Sequence, residues 1–328
     1  MSKDYLAALG LETGLLEAER APAETRALNA QIVDRLNATP DMWTFPPAVL
    51  RQLRLDGRGP FPICPADSSA VAIAVPGPAG DMPARVYRPA VGEARGSYLH
   101  FHGGGWVLGS ARENDARNRR LADATGLTVI SLDYRLAPEH PFPAGPDDCE
   151  AAALWLVKGQ HDLPTGMLAI GGESAGAHLA VLTLLRLRDR HGLQPFRAAN
   201  LNAGCYDLAG TPSMRNWGAE KLILNTRDID EFTARFLADG EDRSSPGISP
   251  IHADLSGLPP ALFTCGTRDL LLDDTLLMAA RWRAAGNRAK ASIWPGGCHV
   301  FQAFATMQAD ESLSEIETFL SEMTGVAA

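Results

Sequence analysis

Ile170-Gly171-Gly172-Glu173-Ser174-Ala175-Gly176-Ala177-His178 fits the pattern Gly-x-Ser-x-Gly at Gly172, Ser174 and Gly176. An apolar run, Met167 to Ile170, leads into it, and a helix-like run, Ala177 to Leu187, leads out. The order predicts a strand, a sharp turn and a helix, with Ser174 on the turn. Flanking residues without side chains let the backbone fold tightly and push the serine hydroxyl outward. A helix that begins at the serine also points free N–H groups and a positive dipole end at any charge developing beside that hydroxyl.

Five residues of this kind also arise by chance, so the surrounding chain decides the reading. Upstream, Leu99-His100-Phe101-His102-Gly103-Gly104-Gly105-Trp106 reads as a strand running into three glycines. Such a loop can bring bare backbone N–H groups up to an oxyanion, where a Cβ would obstruct them. Downstream, Asp269 follows an apolar strand and His299 comes later, giving the chain order Ser, Asp, His. Asp273 and Asp274 read instead as residues of the next helix N-terminus, where carboxylates suit the dipole.

These residues resemble the hormone-sensitive-lipase-like branch of the α/β-hydrolases, a family of carboxylesterases and small lipases. The matching motifs are His102 to Trp106, the run Asp133-Tyr134-Arg135-Leu136-Ala137-Pro138-Glu139-His140-Pro141-Phe142-Pro143-Ala144, the serine turn, and Asp269 with His299. They extend the resemblance from about residue 70 to the C-terminus. One departure is Glu173, where family members usually carry Asp or Thr. The resemblance implies an α/β fold with a mostly parallel twisted sheet of about eight strands, flanked by helices and topped by a helical cap. It also implies a serine carboxylesterase that works through an acyl-enzyme, with no cofactor or metal, on esters with short acyl chains.

Ester hydrolysis needs a nucleophile, a base, a group to orient the base, and donors for the tetrahedral oxyanion. Ser174 is the nucleophile by position. Among eight histidines, His299 follows the last strand, and Gly296 and Gly297 give its loop reach; order and resemblance together select it as base. Asp269 would hold the imidazole in one tautomer. The resemblance assigns the oxyanion donors to the backbone N–H groups of Gly104, Gly105 and Ala175. His102 and Glu173 are expected to brace these loops by hydrogen bonds, with Gly103, Gly172 and Gly176 as the motif's permissive positions. Asp133, Arg135 and Glu139 are expected to brace their turn. Cys298, beside His299, is expected to pack. Trp106, Tyr206, Trp217 and Phe45 are candidates to line an acyl or alcohol pocket, with core packing as the alternative for each.

Length and charge narrow the remainder. At 328 residues, 45% hydrophobic, the chain can bury a large core. A formal net charge of −9 opposes a nucleic-acid or anionic-membrane partner, which would want clustered Lys and Arg. Charged residues interrupt Met1 to Ala23, so neither a secretory h-region nor a membrane span is expected there, and a cytoplasmic location follows as the expectation. Five cysteines with no C-x-x-C pair fit reduced thiols.

Residues 1–65 read as a helical cap segment, with Leu28, Ile32 and Leu36 on one stripe. Relatives use such helices as a lid; a helix that only pads the core fits the stripe equally. Residues 66–328 form the catalytic domain. Two β-rich runs, Val71 to Val75 and Ala84 to Tyr87, suggest an antiparallel edge pair, and strand-like runs then alternate with helix-like ones as in a parallel sheet. The stretch 207–247 is too long for a bare connection and reads as a second cap piece. Lys290 to Trp294 is the last strand, and the resemblance implies homodimer pairing through it and the last helix. Rival readings are a deacetylase or amidase for one metabolite, and a non-catalytic small-molecule receptor on the same scaffold.

Overall fold

The computed structural model describes residues 14–61, 63–159 and 161–325; the first 13 residues of the expected cap segment lie outside the described residues. Among the described residues, eight strands form one sheet: β1 (Val71–Gly77), β2 (Gly80–Tyr87), β3 (Gly96–Phe101), β4 (Thr128–Leu132), β5 (Met167–Glu173), β6 (Ala198–Asn202), β7 (Ala261–Arg268) and β8 (Ala289–Cys298). Their spatial order is β1-β2-β4-β3-β5-β6-β7-β8. The first two are an antiparallel pair, β2 is antiparallel to β4, and every pairing from β4 to β8 is parallel.

Side chains alternate across this sheet with the period of two that a pleated strand imposes. Leu99 and Phe101 of β3, Ile130 and Leu132 of β4, and Phe263 of β7 join one apolar cluster. Tyr98, Val129 and Leu262, one residue out of step, join another. The first cluster is covered by α4 (Ala144–Lys158), α5 (Ala175–His191) and α8 (Leu272–Ala284), the second by α3 (Asp115–Thr125) and α9 (Met307–Thr324). Strands β3, β4 and β6 are buried along their whole length, as expected of strands covered by helices on both faces of the sheet.

The connections set where chemistry can gather. From β3 the chain crosses to β4 on one side, whereas from β5 it crosses to β6 on the other. The carboxyl ends of β3 and β5 therefore flank the point where the winding reverses, the usual crevice for a ligand in such sheets. The glycine loop leaves the first of these ends and the serine turn leaves the second.

Two further helical pieces lie beyond the sheet. The N-terminal one contains α1 (Ala23–Ala38) and α2 (Pro47–Leu55); the other, between β6 and β7, contains α6 (Pro212–Asn216) and α7 (Thr226–Phe236). The stripe of α1 covers the end of β8: Ile32 is buried with Leu222, Cys298 and Phe301, and Asn29 donates from Nδ2 to the carbonyl of Gly296 at 2.8 Å. From α2, Arg51 donates to the carbonyl oxygens of Val107 and Ala137 and pairs with both oxygens of Glu139. The expected bracing of the Asp133 turn is present. Asp133 accepts from Ala111 N–H at 2.6 Å, and Arg135 holds Asp148 in a two-pronged pair. Among the described residues, no helix is long and apolar enough to cross a membrane.

Away from the crevice, Asp115 opens α3 with a fully buried carboxylate. It accepts from Arg85 Nε and Nη2 at 2.7 Å each, from the Tyr87 hydroxyl at 2.6 Å and from Asp67 N–H at 2.7 Å. Removing one partner of such a group leaves the others desolvated and unpaired. Asp115→Ala should therefore lower unfolding stability by about 3 kcal/mol or more in urea titration; a loss below about 1 kcal/mol would contradict this account of how α3 is tied to β2.

Candidate active site

Ser174 stands between β5 and α5 at φ 55°, ψ −121°, in a region that residues with a Cβ seldom occupy. The turn is possible because β3 lies directly against it. A Cβ on either Gly172 or Gly176 would overlap the carbonyl oxygen of Phe101. The Ser174 N–H donates to the carbonyl of Asn202 at 2.8 Å, tying the turn to β6. Helix α5 then starts at Ala175, so the N–H groups of its first turn face the serine without intrahelical acceptors.

His299 follows β8 directly, and its Nε2 lies 2.9 Å from Ser174 Oγ. Its Nδ1 lies 2.9 Å from Asp269 Oδ2 and 3.1 Å from Oδ1. A carboxylate only accepts, so Nδ1 carries the proton and Nε2 is left as acceptor toward the serine hydroxyl. Asp269 is fixed in turn by Leu271 N–H, which donates to Oδ1 at 2.9 Å. Both partners are buried, and three residues up to 125 positions apart thus form one chain of hydrogen bonds.

The glycine loop is held against this chain from several sides. Gly103 N–H donates to Glu173 Oε1 at 2.7 Å, and the site of a Gly103 Cβ would be 3.4 Å from Ser174 Cβ. Gly104 has φ +121°, and a Cβ there would strike the carbonyl of Leu108. Among the described residues, neither Gly104 nor Gly105 donates its N–H to a backbone carbonyl. His102 stacks on Tyr134 and donates from Nδ1 to the Gly103 carbonyl at 2.8 Å. Burial pushes the His102 pKa down, which favours the neutral ring in that role.

Glu173 occupies the brace expected of it. Besides Gly103, it meets His100 Nε2 at 3.0 Å, and His100 Nδ1 meets the Ser131 hydroxyl at 2.8 Å. Burial would push the Glu173 carboxyl up, but His100, the Arg117 guanidinium and the Gly103 N–H outweigh it and hold the pKa at about 2.

Sequence reading missed His178. Its Nδ1 accepts from the Trp106 indole N–H at 3.0 Å and its Nε2–H donates to the Ile248 carbonyl at 2.7 Å. An indole N–H only donates and a carbonyl only accepts, so the tautomer is fixed and the ring is neutral. Burial agrees, lowering the His178 pKa to about 4. The ring joins the glycine loop, the helix behind the serine and the segment beyond α7, and no local motif signals such a link.

The four aromatics considered for a pocket part ways. Trp106 and Tyr206 belong to the core: Trp106 is stacked on Phe236 with centroids 4.6 Å apart, and Tyr206 is fully buried edge-on to Phe263. Trp217 is partly buried beneath the Arg268 guanidinium, while Phe45 is 37% exposed. Asp273 and Asp274 do lie in the first turn of α8, and both also bind neighbouring segments. Asp274 accepts from Tyr206 N–H, Asp207 N–H and the Thr211 hydroxyl, and Asp273 accepts from Ser213 N–H. Cys298 is buried, as packing requires.

The family model described as the alpha/beta hydrolase fold matches residues 98–303. The chain is 37% identical over 267 residues to a carboxylic ester hydrolase, LipN, of Mycobacterium tuberculosis, covering 76% of this chain and 70% of that one. It is 35% identical over 222 residues to an acetyl-hydrolase of Streptomyces hygroscopicus, covering 68% of this chain and 73% of the relative. A solved hormone-sensitive lipase from a metagenome library superposes with a TM-score of 0.81 at 28% identity, over 93% of this chain and 99% of the other. The chain is therefore a carboxylic ester hydrolase, a member of the hormone-sensitive-lipase-like carboxylesterase family of the α/β-hydrolases.

Proposed function

We propose that Ser174, His299 and Asp269 hydrolyse carboxylic esters with short acyl groups through a covalent acyl-serine. The unbroken chain from Ser174 Oγ to His299 Nε2, and from His299 Nδ1 to Asp269, is the observation that carries this reading.

The steps follow from the geometry. A serine hydroxyl is almost never ionised near neutrality, so His299 Nε2 takes its proton as Oγ adds to the ester carbonyl carbon. The carbonyl π electrons move to oxygen, and the N–H groups of Gly104, Gly105 and Ala175 receive that charge. Asp269 stabilises the imidazolium without taking its proton. The C–O bond to the alcohol breaks, and the imidazolium returns the proton to the leaving oxygen. Water then repeats the sequence on the acyl-serine: His299 removes its proton, hydroxide adds, and the carboxylic acid departs as Oγ recovers its hydrogen. Glu173 positions the glycine loop through Gly103 and touches no reacting atom.

The short-acyl part rests on two supports: one relative is named an acetyl-hydrolase, and aromatic rings of α7 cover the glycine loop. In this reading the described residues of the 1–65 segment and residues 207–247 together roof the site. They meet through the Trp43 indole N–H, which donates to Asp228 at 2.7 Å, and through the Arg227 and Asp41 ion pair.

Initial rates with p-nitrophenyl esters should fall as the acyl chain lengthens, and Ser174→Ala should reduce all of them to background; residual turnover near wild type in that variant would refute the assignment. Gly104→Ala, which forces a Cβ against Leu108, should displace the loop and lower kcat/KM about a hundredfold while the protein stays folded. For Glu173 the sign is set by its lowered pKa. A carboxyl held at about 2, against an ordinary 4.5, contributes stability that is complete above pH 4.5 and is lost as pH falls toward 2. Glu173→Gln should therefore flatten the acid side of the stability curve in that window, by roughly 3 kcal/mol at most; parallel curves for the two proteins would contradict the charged brace.

A further inference from the structure

The serine and its two partners belong to different parts of the sheet. Ser174 leaves β5 and donates its N–H to the Asn202 carbonyl at the end of β6, whereas Asp269 and His299 follow the joint extension of β7 and β8. Pairing between β6 and β7 ends at Asn202 and Thr264, so that ladder stops short of the acid and the base. A side-chain bond crosses the gap. Asn202 donates from Nδ2 to Gln302 Oε1 at 3.1 Å, and Gln302 donates from Nε2 to the Ser312 hydroxyl of α9 at 2.9 Å. Gln302 lies three residues after His299, in the short helical turn Phe301–Ala303. All three side chains are buried, so losing one of these bonds leaves a desolvated polar group unpaired.

The turn needs such a tether. Val300, between His299 and the turn, has φ 50° and ψ 44°, a left-handed conformation that a β-branched residue keeps only where its surroundings impose it. Packing holds the Phe301 side, where the ring is buried with Ile32 and Cys298. On the other side a cavity of about 40 Å³ borders both Asn202 and Gln302, so there hydrogen bonds rather than close packing fix the side chain. We propose that Gln302 is a positioning residue for the base: its bond to Asn202 ties the His299 turn to the strand end that holds Ser174, and so sets the distance from Nε2 to Oγ. Asp269 orients the imidazole, and Gln302 places the backbone that carries it. This rests on the triad reading above and goes beyond it by naming what holds the base against the serine.

Gln302→Met keeps the side-chain volume and removes both hydrogen bonds, while Asn202→Ala removes the partner and keeps the carbonyl that takes the Ser174 N–H. The test is kcat and KM for p-nitrophenyl acetate in wild type, in each variant and in the double variant, with Ser174→Ala as background. Rates are expressed per reactive serine, counted from the p-nitrophenolate released on complete reaction with diethyl p-nitrophenyl phosphate. A displaced base slows proton transfer in every folded molecule, so kcat per reactive serine should fall about tenfold in each single variant, with KM within about twofold of wild type. The double variant should be no slower than either single one, because both remove the same bond. If one variant does not fold, the other decides the matter. A bond that serves folding alone would lower the melting temperature and the count of reactive serines but leave kcat per serine within about twofold of wild type, and that result overturns the role of Gln302 while the triad stands. A loss of about a hundredfold in the double variant overturns it as well, since the two residues would then act separately. Turnover that survives in Ser174→Ala defeats the triad reading instead.

Discussion

The close approach of β3 to the serine turn is the constraint on which the rest of the site depends. Ser174 is held in a backbone conformation that costs on the order of 1–3 kcal/mol, and such strain persists only where the surroundings over-determine it. Here they do: Phe101 leaves no room for a Cβ at Gly172 or Gly176, Asn202 takes the Ser174 N–H, and residues 175–187 of α5 are buried throughout. The strain presents Oγ to the crevice rather than to the core. The partners then come from the far strands. β6 pairs with β7 as far as Asn202 and Thr264, whereas β7 and β8 continue together, through a register shift near Gly266, to Arg268 and Cys298. That extension brings Asp269 and His299 back to the serine.

The glycine loop has no such strand to hold it, and three hydrogen-bonded links serve instead. Glu173 grips Gly103 N–H, His102 returns to the Gly103 carbonyl, and the Trp106 indole is anchored on His178. Each link begins at a residue next to the elements it fixes, so a displacement of the loop would leave several buried polar groups unpaired at once. A site arranged this way is stiff before substrate arrives, which is what electrostatic stabilisation of an oxyanion requires.

Much of this was legible in the chain. The strand and helix rhythm from Ser97 onward, the strand-turn-helix at Ser174 and the order Ser, Asp, His are all local patterns, and local patterns reflect periodicity and turn chemistry directly. The pocket aromatics were not legible. A tryptophan beside three glycines looks the same in sequence whether its ring faces a cleft or, as with Trp106, lies under Phe236. The stripe of α1 announced burial without saying what it covers, which proved to be the end of β8 together with Leu222 and Phe301. The Trp43 and Asp228 bond and the His178 bridge are tertiary accidents of packing between distant segments, and nothing in their neighbours encodes them.

The central claim is that Ser174 Oγ is the atom that forms a bond with substrate. It is tested most directly by treating the protein with diethyl p-nitrophenyl phosphate, in which attack by a nucleophilic oxygen forms the O–P bond and releases p-nitrophenolate, followed by peptide mass mapping. The account predicts one diethylphosphoryl group per chain, located on Ser174, with esterase activity lost in proportion to labelling. A label on another residue, or full activity in unlabelled protein after prolonged exposure, would contradict it.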